Sequence, residues 1–324
     1  MSQKTALVTG IWGQDGRLLA GHLLGLGYRV IGVSRPGRAQ FVDAALPAVH
    51  CDFTDITDPV AVRALIETWR PDEIYHLAAF HHSSQENSIG AALSSRGAML
   101  ATNFLSTKNL AFAMMETRTP AHLVFASSSQ MFTAEKAIHE ITEDTPRKPS
   151  TFYGHTKSWG MDLLAFLRAE HGIRASTAIL FNHESPLRGE QFVSRKITRA
   201  AAAAKMGSTA KLVLQNIGAR VDWSSARDVI CALHLLSSDS EGQDCVVASG
   251  ELHSVGDFVE TAFSCLGLDW PSYVEFQDNH EIPALVGKAE KIREALGWAP
   301  ACSFENMIKE MVNQDMQMPS RKHD

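Results

Sequence analysis

The amino-acid sequence predicts an α/β fold, a doubly wound parallel sheet with a smaller C-terminal lobe. Three observations predict it. Short apolar runs alternate with segments of helical periodicity through the first part of the chain, the pattern that builds a right-handed parallel sheet. A glycine-rich turn joins the first run to the first helical segment. Beyond residue 180 the rhythm breaks at Phe181-Asn182-His183-Glu184-Ser185-Pro186, and shorter elements follow.

Thr5 to Thr9 is a β-rich run leading into Gly10-Ile11-Trp12-Gly13-Gln14-Asp15-Gly16, after which Leu18, Leu19, His22, Leu23 and Leu26 recur at helical spacing. Strand, glycine turn and helix make a phosphate cradle of the Rossmann type. Glycine permits the tight turn and close backbone approach, and the helix N-terminus offers unbonded N–H groups to a pyrophosphate. Gly27 ends the helix and Arg29 to Val33 is the second strand. An acidic residue after that strand would bind a ribose 2′-hydroxyl. Ser34-Arg35 and Arg38 stand there instead and favour a 2′-phosphate, hence NADP over NAD. His50 to Phe53 is a third strand, whose Asp52 can accept from an adenine amine or cap its own turn.

Asp58-Pro59 opens a helix through Trp69, and Glu73 to Ala79 is a fourth strand. Residues 81–102 lack clean periodicity. His81 and His82 are adjacent, point in different directions and have no third ligand spaced to join them, which favours a polar rim over a metal site. Asn103 to Met115 reads as a helix, Leu123-Val124-Phe125-Ala126 as a buried strand and Ser176 to Leu180 as another. Later, strands at Leu212–Leu214 and Cys245–Val247 alternate with helices near 194–207, 225–237, 255–266 and 303–313. The domain reading is 1–180 for dinucleotide binding, 181–318 for a substrate lobe that can exchange elements with the first domain, and 319–324 for a flexible polar tail.

The chemistry centres on Ser127-Ser128-Ser129-Gln130 and Tyr153-Gly154-His155-Thr156-Lys157. Tyr153 and Lys157 share one helix face. An ammonium there can favour the phenolate, while a Ser hydroxyl completes the hydrogen bonding to a substrate oxygen, which equips the chain to move a proton on or off a carbinol. The Ser run follows a strand, where active-site loops of parallel sheets gather.

Composition sets outer bounds. A chain of 324 residues with 45% hydrophobic and 20% charged content has ample core for one large or two medium domains. A net charge of −6 argues against nucleic acid as the main partner. No apolar run approaches the ~20 residues of a membrane helix and no signal-like segment opens the chain, so a cytoplasmic protein is expected, with no membrane partner. Five scattered cysteines without a Cys-x-x-Cys spacing argue against structural zinc and a disulfide framework.

The chain resembles the extended short-chain dehydrogenase/reductases, and within them the GDP-mannose 4,6-dehydratase family. The residues that carry the resemblance are Thr9-Gly10-Ile11-x-Gly13-Gln14-Asp15-Gly16, then Leu180 to Pro186 with Arg188-Gly189-Glu190, Phe192-Val193-x-Arg195-Lys196-Ile197, Asp222-Trp223, Ala226-x-Asp228 and Ser249-Gly250-Glu251-x-His253-Ser254-Val255. The family binds NADP, oxidises C4 of a nucleotide-linked hexose, removes water across C5 and C6 and returns the hydride to C6. The resemblance implies Tyr153 as the C4 base, Lys157 as its partner and ribose anchor, and Ser128 bonding the sugar. It implies a cofactor shell of Gly10, Gly13, Gln14, Asp15, Gly16, Arg35, Asp52, Phe53, Leu77, Ala78, Tyr153, Lys157 and His183. For the nucleotide sugar it implies His82, Ser129, Asn182, Glu184, Arg188, Val193, Arg220 and Lys196, the last reading guanine.

The departures bear on activity. Where the family has a Glu that takes the C5 proton this chain has Gln130, and an amide neither gives nor takes a proton near neutral pH. The family's Arg before Asp-Trp is Val221, a second expected Arg falls at Asp278 or its neighbours, and the loop after His82 is longer. The expected function is therefore hydride transfer at C4 of a nucleotide sugar, GDP-linked above others. A dehydratase using Glu184, His81 or His82 instead, and a cofactor-bound protein without turnover, stand as alternatives. A homodimer, or a dimer of dimers, is expected through the helices at 103–115 and 153–167, with Met114, Met161, Leu164 and Ala165 as its apolar face.

Overall fold

Residues 3–35, 37, 45–80, 89–135 and 137–317 are described by the structure, a computed structural model. The first half of the chain runs β1 (Thr5–Thr9), α1 (Gln14–Gly25), β2 (Arg29–Val33), β3 (His50–Asp52), α2 (Pro59–Trp69), β4 (Glu73–His76) and α3 (Ile89–Leu100). A π-helical turn at Ala101–Leu105 leads into α4 (Ser106–Glu116), followed by β5 (His122–Ala126), a 3₁₀ turn at Ser129–Met131, β6 (Ile138–Ile141), α5 (Phe152–His171) and β7 (Ala175–Leu180). Then come β8 (Asn182–Glu184), α6 (Val193–Lys205), β9 (Leu212–Asn216), β10 (Arg220–Ser225), α7 (Ala226–Ser237) and β11 (Asp244–Val247). The chain closes with β12 (Leu252–Ser254), α8 (Val255–Ser264), β13 (Val274–Asp278), β14 (Ala284–Gly287), α9 (Glu290–Leu296) and α10 (Phe304–Gln317).

The central sheet has seven parallel strands in the order β3-β2-β1-β4-β5-β7-β11. Alternation along each strand divides its side chains between two layers. Ala6 and Val8 of β1 and Val124 of β5 face Leu19 and Leu23 of α1 and Val229 and Leu233 of α7. Leu7, Leu123 and Phe125 face Val62 and Ile66 of α2, Leu110 and Met114 of α4 and Leu164 of α5. Both faces are thus closed by helices, and the sheet presents its carboxyl edge to the site.

Two expectations are corrected by this packing. Cys245–Val247 is the seventh strand of the main sheet rather than a strand of the smaller lobe, because its unbroken apolar run needs cover on both faces and finds it beside β7. Met114, Met161 and Leu164 do not form an outer apolar face. All three are buried within the chain, where their helices meet the sheet. The exposed aromatic side chains of these helices are Phe112, Trp159 and Phe166, at 40%, 39% and 56% exposure.

The smaller lobe has its own core, in which α6, α8 and α10 enclose Trp223, Phe258, Met307 and Met311. Asp222, buried on β10, accepts from the backbone N–H groups of Ser249, Gly250 and Gly287 at 2.9, 3.1 and 3.0 Å and from Ser249 Oγ at 2.6 Å. One carboxylate therefore ties β10 to the loop after β11 and to β14. Among the described residues no helix is long and apolar enough to cross a membrane, and no three His, Cys, Asp or Glu side chains gather as a metal site.

Candidate active site

The β1–α1 turn closes with Gly13 N–H donating to Gly10 O at 2.9 Å, and α1 starts at Gln14 without a side-chain cap at Gly13. Gly10 has φ +70°, and a Cβ there would stand 2.8 Å from Ala78 N. A Cβ on Gly16 would overlap Gly10 O. The backbone is therefore open where a pyrophosphate would lie against the helix N-terminus, and the residues present fit a nicotinamide dinucleotide.

Gln14 and Asp15 fasten this turn to β8. Gln14 donates to His183 O at 3.1 Å and accepts from Ser185 Oγ at 2.8 Å. His183 reaches Asp15 from Nε2 at 3.1 Å and Phe181 O from Nδ1 at 2.7 Å. With both ring nitrogens facing oxygens, the imidazolium form is favoured. Burial alone would hold the His183 pKa down, but the Asp15 carboxylate outweighs it and raises it. Burial likewise opposes ionisation of Asp15, yet His183 leads the groups that bring its carboxyl to about 2.

Below this turn, a hydrogen-bond chain fixes a tautomer. Ala78 N–H donates to Thr9 Oγ1 (3.2 Å), and the Thr9 hydroxyl keeps its proton for His76 Nδ1 (2.8 Å), the nitrogen left bare once Nε2–H bonds Ser106. Ser106 gives its proton to Thr102 O (2.5 Å) and so accepts from His76 Nε2–H (2.9 Å). Every group is satisfied with a neutral ring, and burial holds the pKa of His76 down at about 3.

Ser128 caps the 3₁₀ turn by accepting from Gln130 N–H at 3.2 Å, and its hydroxyl also bonds the Tyr153 phenol. With an oxygen lone pair taken by Gln130, Ser128 has its proton to give to Tyr153. Tyr153 and Lys157 lie on α5, which Thr151 caps at Gly154 N. Lys157 Nζ is buried, donates to Ala126 O at 2.8 Å and lies 5.7 Å from the centre of the Tyr153 ring. Burial lowers its pKa to about 7 and pushes Tyr153 up to about 12, against the Ser128 hydrogen bond and then the field of Arg188. Arg188 stacks 3.6 Å from the centre of the Phe192 ring and reaches Glu184 at 3.3 Å. Glu184 is buried and bonded by Ser194 Oγ at 2.6 Å. Its carboxyl is held up by burial, and Arg188 and Ser194 only partly offset this.

The Gln130 side chain is exposed, while its carbonyl oxygen packs so closely on Gly154 that a Cβ there would overlap it. Ser129, Phe53, Leu77, Ala78 and Val193 are partly exposed, and Asn182, Lys196 and Arg35 are exposed. Arg220 lines a cleft with Ser254, Asp257 and Glu281, 4.0 Å from the last. Asp52 has both carboxylate oxygens in local use, accepting from Thr54 N–H (3.0 Å) and Trp69 Nε1 (2.9 Å). Arg38, His81, His82 and 319–324 lie outside the described residues.

Sequence reasoning passed over Asn103. It sits in the π-helical turn, accepts from Phe80 N–H at 2.8 Å, donates to Phe80 O at 3.1 Å and to Thr156 Oγ1 at 3.2 Å. It joins the segment after β4 to the helix of Tyr153. The sequence offered only an Asn inside a helical segment, and the π-bulge that holds it, a feature frequent at functional sites, is visible only in the structure.

A family model described as GDP-mannose 4,6 dehydratase matches residues 7–311. GDP-mannose 4,6 dehydratase 2 of Arabidopsis thaliana is 36% identical over 340 residues, 99% of this chain and 89% of the plant protein. GDP-mannose 4,6-dehydratase of Sinorhizobium fredii (strain HH103) is 32% identical over 97% of each chain. In fold the chain is similar to dTDP-glucose 4,6-dehydratase from Bacillus anthracis in complex with NAD, with a TM-score of 0.80 at 18% identity over 96% of each chain. It is also similar to RMD from Pseudomonas aeruginosa complexed with NADPH, with a TM-score of 0.78 at 20% identity over 97% of this chain and 99% of that one. By the family model across nearly its whole length, and by relatives above 30% identity, the chain belongs to the GDP-mannose 4,6 dehydratase family of nucleotide-sugar-modifying enzymes.

Proposed function

We propose that this protein is an NADP-dependent nucleotide-sugar oxidoreductase that moves a hydride at C4 of a GDP-linked hexose or its 4-keto form, without removing water. The carrying observation is the Ser128–Tyr153 hydrogen bond beside buried Lys157, next to a Gln130 that has no titratable proton. Nicotinamide supplies the hydride acceptor or donor when bound. Tyr153 moves the proton at the C4 oxygen and Ser128 orients that oxygen. Lys157 places a donor near the ribose, and Gln130 holds a sugar hydroxyl. Gly10, Gly13 and Gly16 leave room for the pyrophosphate, and exposed Arg35 takes the 2′-phosphate. Asn182, Val193, Lys196 and Arg220 line the nucleotide's path.

For assembly we propose a homodimer, or a dimer of dimers, through α4 and α5, supported by the exposed Phe112, Trp159 and Phe166. The activity is tested by incubating the protein with GDP-mannose in heavy water, following reduced nicotinamide by absorbance and the sugar by mass. Expected is C4 redox chemistry with little 6-deoxy product, and a rise in that product, deuterated at C5, on Gln130→Glu. Efficient dehydration by the unaltered protein would overturn the reading and pass the acid/base role to Glu184, whose carboxyl burial holds up.

A further inference from the structure

Burial works against the charge of Lys157, lowering its pKa to about 7, and no carboxylate pairs with its ammonium among the described residues. What stands beside the charge is an aromatic ring. The centre of the Phe125 ring, on β5, lies 4.8 Å from Lys157 Nζ, closer than the 5.7 Å to the ring of Tyr153. Phe125 is 0% and Lys157 1% exposed, so water screens little of the attraction between the ammonium and the negative face of the ring. The neighbouring elements make room for this ring and hold it. Gly160 lies inside α5, three residues beyond Lys157, where glycine is a poor helix former, and a Cβ there would stand 2.8 Å from Phe125 Cζ. On β4, His76 is the register partner of Phe125, and their rings stack with centres 5.8 Å apart and planes 27° apart. Among the described residues the titratable groups facing Lys157 are Tyr153 on its own helix and neutral His76 from β4, while β5 presents the Ala126 carbonyl and the Phe125 ring.

We propose that Phe125 is a positioning residue for the hydride-transfer chemistry, its π face holding the Lys157 ammonium charged and in place beside Tyr153. The proposal rests on the role given to Lys157 above and adds the group that keeps that role available near neutral pH. A leucine at this position would fill the same layer and lack the face.

The test labels lysine with ¹³C at Cε and titrates the cofactor-free protein, the Lys157 resonance being identified by its loss in Lys157→Met. The ammonium is lost as pH rises through its pKa, so a weaker hold on the charge moves the midpoint down. Phe125→Leu should lower the midpoint by about one pH unit, and single-turnover hydride transfer at pH 8 should slow roughly tenfold with it. A packing defect that admits water would move the midpoint up instead. The deciding form therefore carries 3,5-difluorophenylalanine at position 125, which keeps the shape of the ring and weakens its negative face, and which also serves if Phe125→Leu does not fold. Its midpoint should fall by less than in Phe125→Leu, and its rate with it. An unmoved or raised midpoint in the difluoro form, or a lowered midpoint with an unchanged rate, would overturn the proposal. If the unaltered protein moves no hydride to or from any nucleotide sugar, the functional reading fails, while the Lys157 titration still decides the contact with Phe125.

Discussion

Ser128→Ala removes one oxygen that does two things. As an acceptor it caps the turn at Gln130 N–H, 3.2 Å away, and as a donor it bonds the Tyr153 phenol. The first loss affects stability. Capping residues replaced by Ala cost about 0.5–2 kcal/mol, and the low end applies here because the bond is long and the turn partly exposed. The second loss affects the proton transfer. A hydrogen bond to a group that becomes charged contributes about 1.5–3 kcal/mol, so the step that ionises Tyr153 should slow by roughly 10- to 100-fold. The phenol, already at about 12, should move higher still in the variant. Single-turnover absorbance of reduced nicotinamide reads the rate, and ultraviolet difference titration reads the phenol. Ser128→Thr keeps the hydroxyl and should recover most of the rate. Tyr153→Phe should lose more than Ser128→Ala, because it removes the proton carrier itself. A Ser128→Ala protein with normal rate and an unmoved phenol would refute the coupling drawn between the two side chains.

Arg35→Asp should weaken NADP⁺ far more than NAD⁺ in calorimetry, by about 1.5–3 kcal/mol for a lost charge-assisted contact, and equal binding of both by the unaltered protein would end the NADP assignment. His76 and His122 are buried neutral, held by burial at about 3 and about 4, so the unfolded chain binds the extra protons as pH falls. Stability should therefore be fully present above pH ~6.5 and decline below it, by about 1.4 kcal/mol per histidine between pH 7.5 and 5.5. Denaturant melts should show this slope, reduced in His76→Gln. Light scattering at micromolar concentration should give a dimer mass, and Trp159→Glu with Phe166→Glu should give a monomer. A monomeric unaltered chain would remove the interface.

The main sheet was legible because buried parallel strands are apolar runs and the glycine turn has only one compact use after a strand. The strands Asn182–Glu184 and Leu252–Ser254 were not, since three-residue segments with polar side chains become strands only through their partner, β10. Met114 and Leu164 misled for a related reason. On a helix covering a sheet, the inward stripe is as apolar as a docking face would be, and only the packing distinguishes them. Ser128 could be located because it follows a strand end, and Tyr153 and Lys157 because a spacing of four puts them on one helix face. Asn103 acts through an amide whose partners, Phe80 and Thr156, lie far along the chain, which spacing does not reveal.

Gln130 differs from the rest of the site in how it is held. Gly10, Thr9, His76, Asn103 and Asp15 are each fixed by a hydrogen bond or a close backbone contact, so changing them disturbs neighbours. Gln130 is fixed through its main chain. Its N–H goes to Ser128 and its carbonyl packs on Gly154, while the exposed side chain makes no hydrogen bond among the described residues. Exchanging an amide for a carboxyl of nearly equal volume at such a position changes charge and protonation without moving the backbone that aligns Ser128 with Tyr153. On the proposed function, that one side-chain group decides whether C4 redox chemistry is coupled to elimination. Gln130→Glu should accordingly leave the melting temperature and the cofactor affinity unchanged while altering the products. A large loss of stability in that variant would show that the side chain has a structural role, and that the difference in chemistry cannot be assigned to protonation alone.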